Sequence, residues 1–373
     1  MAHTSGVVEL PVRPELAGIS PYGAPQIDVP VVLNVNENPY PPSERVVAAI
    51  GAAAAQAARG LNRYPERDAL ALRAELAAYL SGDTGVVLDG SQVWAANGSN
   101  EVMLHVLQAF GGPGRTALSF APTYSMYPEY ARDTNTAWVA GRRAEDFTVD
   151  PGAAVALVRE HQPSVVLLAS PNNPTGTALP LEVVEAVHDA APGIVVVDEA
   201  YAEFRRAGVS SAVQLLVGRP RLAVSRTMSK AFALAGGRVG YLAADPALVD
   251  ALRVVRLPYH LSSITQAVAR AALAHAPELL ARVAELRTTR DGLAGWLTGQ
   301  GFEVAESDAN FVLFGRFADR HAVWRGLVDR GVLIREVGPA GWLRVSVGTP
   351  AETASFTDAL TAVTGPGGVG ERA

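Results

Sequence analysis

Between about residue 92 and residue 244 the chain alternates short, nearly continuous apolar runs with stretches of helical period. Runs at 93–96, 115–120, 136–140, 165–169, 194–197 and 221–225, with one more at 238–244, have strand length and are bounded by turn residues. A segment ending near 110 and segments at 151–161 and 180–190 read as helices. Strands apolar on both faces and separated by helices predict an α/β fold with a mostly parallel sheet between helices. In such sheets ligands gather beyond the carboxyl ends of the strands. The polar turns 97–101, 170–176, 198–201 and 225–230 all follow strands, so this fold would bring them together.

The flanks have other patterns. Prolines at 11, 14, 21, 25 and 30 predict an irregular arm over residues 1–33, followed by a polar turn at 33–42. Helices are expected at 43–58, with Ser43 as N-cap, and at 68–80, parted by the break around Tyr64-Pro65. Beyond the sheet, a helix at 246–252 and a break at 257–262 lead into one long Ala/Leu/Arg-rich helix at 263–300. Strands near 302–306, 310–314, 331–335 and 342–347 with helices at 320–330 and 351–363 make a small α+β unit. The expected organisation is an arm (1–42), a large α/β domain (43–262) and a small C-terminal domain (263–373), frayed from Gly365 onward.

With 373 residues, 49% of them hydrophobic, the chain can build a sizeable core. The formal charge of −6 and the lack of a basic block argue against nucleic acid as a partner. Without cysteine there is no thiolate or disulfide chemistry. No secretory signal and no membrane-length apolar run is seen, so a cytoplasmic protein is expected.

The chemistry concentrates in Ser225-Arg-Thr-Met-Ser-Lys230 and its continuation to Arg238. One amine (Lys230), two hydroxyls (Thr227, Ser229) and one guanidinium (Arg238) suit a phosphorylated carbonyl compound: the amine forms an imine and the others hold the phosphate. A Ser/Thr-rich turn also starts many ordinary helices, so the other turns matter. Asp198 ends a run of three valines, where a carboxylate is costly unless it meets a cation such as a protonated pyridine nitrogen. Such a ring is an electron sink. Tyr201 and Asn173 can donate to a phenolate oxygen, and Tyr124 can lie on an aromatic ring. Gly98 and Ser99 open a helix, where backbone amides suit a phosphate. Arg344, on an alternating strand, and Arg335 are either solvated with packed stems or grip an anion.

In this order the motifs Asn36-Glu-Asn-Pro39, Gly98-Ser-Asn-Glu101, Pro122-Thr-Tyr124, Ser170-Pro-Asn-Asn-Pro-Thr-Gly176, Asp198-Glu-Ala-Tyr201, Ser229-Lys-Ala-Phe-Ala-Leu-Ala-Gly-Gly-Arg238 and Leu343-Arg-Val-Ser-Val-Gly348 resemble the class II aminotransferases, fold-type I pyridoxal-phosphate enzymes. The likeness covers nearly the whole chain. Stretches 21–26, 94–100, 255–263 and 307–314 are similar to the histidinol-phosphate aminotransferase family of actinobacterial type. The resemblance implies pyridoxal 5′-phosphate as cofactor and no metal. It implies that Lys230 binds the cofactor and moves the proton, and that Asp198 meets the ring nitrogen. Asn173 and Tyr201 would bond the ring oxygen and Tyr124 would stack. Gly98, Ser99, Thr227, Ser229 and Arg238 would bind the phosphate. Arg344, assisted by Arg335 and Tyr22, would take the carboxylate of glutamate or 2-oxoglutarate and the phosphate of histidinol phosphate. Tyr64 would reach into the site of a second subunit, which implies a homodimer. The implied reaction is a step of histidine biosynthesis. Aromatic aminotransferases and threonine-phosphate decarboxylases share the lysine and aspartate, so those residues leave the substrate open.

Overall fold

The computed structural model describes residues 10–365, so the residues expected to fray beyond Gly365 lie outside the described residues. The apolar runs form a seven-stranded sheet. After a two-residue strand β1 (Val31–Val32) in the arm, the sheet is built from β2 (Val93–Ala96), β3 (Thr116–Ala121), β4 (Ala137–Arg142), β5 (Val165–Ala169), β6 (Ile194–Asp198), β7 (Leu222–Thr227) and β8 (Gly240–Ala244). Their order is β2-β8-β7-β6-β5-β3-β4. Strands β4, β3, β5, β6 and β7 are parallel, and β8 runs antiparallel to both of its neighbours.

Every residue of β5, β6, β7 and β8 is buried, because the sheet is covered on both faces. Alternation along β6 divides its side chains between two cores. Val195 and Val197 pack with the helices Leu70–Thr84 and Leu181–Ala190, while Ile194 and Val196 pack with Ser99–Phe110 and Pro246–Val255. Each such buried valine contributes about 1.5–3 kcal/mol. The Glu44–Ala58 helix starts at Ser43, whose hydroxyl accepts from the Val46 amide at 3.3 Å.

A second sheet of three antiparallel strands, β9 (Glu303–Val304), β10 (Phe311–Gly315) and β12 (Leu343–Ser346), lies with its own core. The arm is less irregular than its prolines suggest. Strand β1 pairs in parallel with β11 (Val332–Leu333), and Leu33 enters the core of the second sheet. That pairing carries residues 33–37 past the ends of the central strands.

Two helix expectations are corrected. The expected long helix 263–300 is two helices, Ser263–Ala274 and Ala276–Gly299, parted at His275. Pro277 is the cause: its ring collides with the carbonyl four residues back and it has no N–H for the helix ladder. A short helix, Tyr127–Asp133, lies where none was expected. At seven residues, with Pro128 in its first turn, it shows no helical period to read. Among the described residues no helix is long and apolar enough to cross a membrane.

Candidate active site

The four polar turns meet. Beyond the carboxyl ends of β6 and β7 lies a cavity of about 470 Å³, walled on one side by residues 34–37 and on another by Arg335 and Arg344. Ser99, Tyr124, Asn173, Asp198, Tyr201, Thr227, Ser229, Lys230 and Arg238 line it, and so do Tyr22, Arg335 and Arg344. Two expected residues do not line it: Gly98, and Tyr64, which was expected at the site of a second subunit. Gly98 stands behind Arg238: a Cβ at Gly98 would lie 2.5 Å from the guanidinium Nη2. Tyr64 is not part of this cavity; it is 80% exposed and its ring stacks on Tyr259 at 4.5 Å.

Asp198 ends β6 at the cavity floor and is buried. Its Oδ2 accepts from the Tyr127 hydroxyl at 3.0 Å, whereas Oδ1 has no hydrogen-bond partner among the described residues. Burial raises the carboxyl pKa from 3.8 to about 6, and the Tyr127 hydroxyl and the Ala200 amide oppose that rise only in part. A buried carboxylate with one oxygen unsatisfied lacks a cationic donor. The protonated nitrogen of a pyridine ring supplies one, so the floor fits pyridoxal phosphate.

Lys230 is partly buried, and its Nζ donates to the Val35 carbonyl at 3.0 Å. Desolvation, aided by the charge of Arg344, lowers its pKa from 10.5 to about 8. A reactive amine near neutral pH is what imine chemistry requires.

Arg344 is not a solvated strand residue but a buried one, 5% exposed. It donates to Asn173 Oδ1 through Nη1 and to the Asn34 carbonyl at 2.8 Å through Nη2, and its Nε has no partner among the described residues. Its guanidinium lies over the Phe311 ring at 5.1 Å, and burial lowers its pKa to about 10. Arg335 is held beside it by an antiparallel backbone bridge.

An anion cradle occupies another wall. The Ser99–Phe110 helix begins there with Gly98 as N-cap at φ +87°, a conformation open to glycine. The Thr227 hydroxyl donates to the Val239 carbonyl at 3.1 Å, and the Ser229 hydroxyl lies 3.0 Å from its oxygen. Arg238 forms no ion pair among the described residues and bonds the Ala235 carbonyl at 3.1 Å. Helix amides, two hydroxyls and a free guanidinium are a phosphate-binding donor set.

Several functional contacts were not legible in the sequence. Tyr127 reaches Asp198 from 71 residues away. Asn36 donates to the Tyr201 hydroxyl at 3.0 Å across 165 residues. Beneath the site, fully buried Arg226 bonds Glu199 at 3.0 Å and Asp83 at 2.7 Å, joining β7 to the end of β6 and to the 70–84 helix. Asn36, Glu199 and Arg226 lie inside the quoted motif stretches and Tyr127 beside one, but nothing local in the sequence names these contacts.

A lysine, a buried carboxylate and an anion cradle at the carboxyl edge of this sheet define a fold-type I pyridoxal-phosphate transferase. The chain belongs to the class I and II aminotransferases, whose family model matches residues 29–360. It is 64% identical to the histidinol-phosphate aminotransferase of Thermobifida fusca, over 97% of this chain and 98% of that one. With the histidinol-phosphate aminotransferase of Frankia casuarinae it shares 62% identity, over 94% of this chain and 89% of the relative. Among solved structures it is similar to the histidinol-phosphate aminotransferase of Sinorhizobium meliloti in complex with pyridoxal-5′-phosphate. That likeness has a TM-score of 0.83 at 25% identity and covers 95% of this chain and 98% of the other.

Proposed function

We propose that the cavity transfers the amino group of L-histidinol phosphate to 2-oxoglutarate, giving imidazole-acetol phosphate and L-glutamate, reversibly, in histidine biosynthesis. The observation that carries this reading is one cavity in which Lys230, with its lowered pKa, and the unpartnered Oδ1 of Asp198 share space with the adjacent arginines 335 and 344. When bound, pyridoxal phosphate supplies an aldehyde for the substrate amine and a protonated ring that accepts the electrons left when a Cα–H proton departs.

The residues supply the rest. Lys230 Nζ binds the cofactor and, once displaced by substrate, carries the proton to and from the substrate Cα. Asp198 keeps the ring nitrogen protonated, as a carboxylate raises the pKa of a cation beside it. Tyr201 and Asn173 hold the ring oxygen, and Tyr124 packs against the ring. Ser99, Thr227, Ser229 and Arg238 hold the cofactor phosphate, with Gly98 leaving room for Arg238. Arg344, Arg335 and Tyr22 take the substrate anion. Two guanidiniums side by side suit a phosphate dianion and also the carboxylates of glutamate.

The same reading makes the protein a cytoplasmic homodimer in which exposed Tyr64 completes the site of the second copy. It also divides the chain into the arm 1–42, the cofactor-binding domain 43–262 and the C-terminal domain 263–373.

Glutamate formation from 2-oxoglutarate, compared with L-histidinol phosphate, L-phenylalanine and L-threonine phosphate as donors, tests the reading. Histidinol phosphate should exceed phenylalanine, which has no phosphate, in kcat/KM by at least about 10²-fold, and should also exceed threonine phosphate, which has no imidazole. A comparable rate with phenylalanine overturns the substrate, and no glutamate from any donor overturns the reaction.

A further inference from the structure

We propose that Asn36 is a positioning residue: together with Ser346 it directs the hydroxyl proton of Tyr201 into the cavity. The proposal rests on the reading of that cavity as a pyridoxal-phosphate site.

Asn36 is buried, at 2% exposure, and its backbone has φ +57°, a left-handed conformation that asparagine tolerates better than most residues. Its surroundings define which end of its amide faces which way. The Ser346 hydroxyl oxygen accepts from the Asn36 backbone N–H at 2.9 Å, and the hydroxyl donates to Asn36 Oδ1 at 3.0 Å. Asn36 Nδ2 then faces the Tyr201 oxygen at 3.0 Å. Reversing the amide would strand the proton of buried Ser346, whose acceptor among the described residues is that same Oδ1.

A second amide is oriented in the same sense. Arg344 Nη1 donates to Asn173 Oδ1, which turns Asn173 Nδ2 toward the Tyr201 oxygen at 3.5 Å. A phenol has one proton and two lone pairs. Both amides approach the Tyr201 oxygen as donors, and among the described residues the hydroxyl donates to no protein acceptor. Its proton is left for the cavity that Tyr201 lines. The group suited to that proton is an anionic oxygen, here the phenolic oxygen of the cofactor ring.

The sign of the effect follows. A donor bond to an anionic oxygen favours the form lacking the extra proton, so it lowers the pH at which the visible absorbance of the lysine-bound cofactor changes. Loosening that donor raises this midpoint.

The test is a pH titration of that absorbance in the purified, cofactor-loaded protein. Asn36→Gly removes the amide and keeps the left-handed backbone without strain. It should raise the midpoint by about half to one pH unit, a roughly threefold to tenfold change in proton affinity. Ser346→Ala, which frees the amide to reverse, should move it in the same direction by less. In a Tyr201→Phe background neither substitution should move it further. An unmoved midpoint in Asn36→Gly, or an equal shift with and without the Tyr201 hydroxyl, overturns the proposal. If Asn36→Gly does not fold, Ser346→Ala decides by the same criteria. A wild-type protein that takes up no pyridoxal phosphate overturns the functional reading and this proposal together. A normal wild-type titration with unmoved variants overturns this proposal alone.

Discussion

Asp198→Asn should stabilise the cofactor-free protein and cripple the loaded one. Without cofactor the carboxyl is buried with Oδ1 unsatisfied, and its pKa rises from 3.8 to about 6. At about 1.36 kcal/mol per tenfold change in proton affinity, that rise costs the folded state about 3 kcal/mol once the group is ionised. Asparagine keeps an acceptor for the Tyr127 hydroxyl and carries no charge, though its own amide must be desolvated. A net gain of about 1–3 kcal/mol is expected. The pH dependence has a definite sign. Between pH 3.8 and about 6 the folded state binds more protons than the unfolded one, so wild-type stability falls as pH rises through this window. The advantage of the variant is therefore full above about pH 6, shrinks as pH falls, and is gone below 3.8. Urea unfolding of the cofactor-free proteins at one protein concentration, at pH 7.5 and about pH 4.5, measures both gaps. Turnover of the loaded variant should drop by about 10²–10³-fold or more, since the ring nitrogen loses its counter-ion. A variant less stable than wild type at pH 7.5, or a gap equal at the two pH values, would refute the claim that Asp198 waits as an unsatisfied charge.

Lys230→Ala should reduce turnover by at least about 10⁴-fold, and borohydride should then fix no cofactor to the chain, as mass spectrometry would record; Lys230 is the only lysine in the sequence, so a covalent adduct in the variant would take the imine away from a side chain and assign it to the α-amino group. Arg344→Ala should lower kcat/KM for histidinol phosphate and for glutamate alike, by about 10²-fold each, and intact glutamate turnover would move the carboxylate role to Arg335. Arg226→Met should destabilise the protein by about 3–5 kcal/mol in urea, because it leaves Glu203 buried without its ion-pair partner and Glu199 with only Arg205 at 3.4 Å; burial already raises the pKa of Glu203. Gly240→Ala should loosen cofactor binding by about tenfold or more, read by equilibrium dialysis, since its Cβ would lie 2.1 Å from the Ser99 backbone nitrogen and push the helix start off the strand.

The parts of the site legible in the sequence are those tied to the end of an apolar run. Asp198 closes Ile194–Asp198, and Lys230 follows Leu222–Thr227 by three residues. For these, the parallel sheet itself supplies the third dimension: once the strands are known to be neighbours, their carboxyl ends must meet. Tyr22 came from the resemblance alone, and for Arg335 and Arg344 the residues themselves left a solvated and an anion-gripping reading open. Alternation along 342–347 marks a half-buried strand, but nothing in it distinguishes a solvated arginine from one held under Asn34 and Asn173.

What stayed hidden are the residues that act on other residues. Asn36, Tyr127, Arg226 and Glu199 belong to contacts closed only when the arm, the short 127–133 helix and two adjacent strands have all been placed. Their chemistry is also ordinary when seen locally: an asparagine before a proline turn, a tyrosine before a proline, an arginine inside a strand. Burial is what changes each of them. It strips the water that would satisfy the Asp198 carboxylate, the Ser346 hydroxyl and the Arg226 guanidinium, so each must find a protein partner or hold a direction open for a ligand. Asp198 Oδ1, at the cavity floor, has no partner among the described residues, and the direction it holds open is the one the proposed function gives to the cation of the cofactor ring.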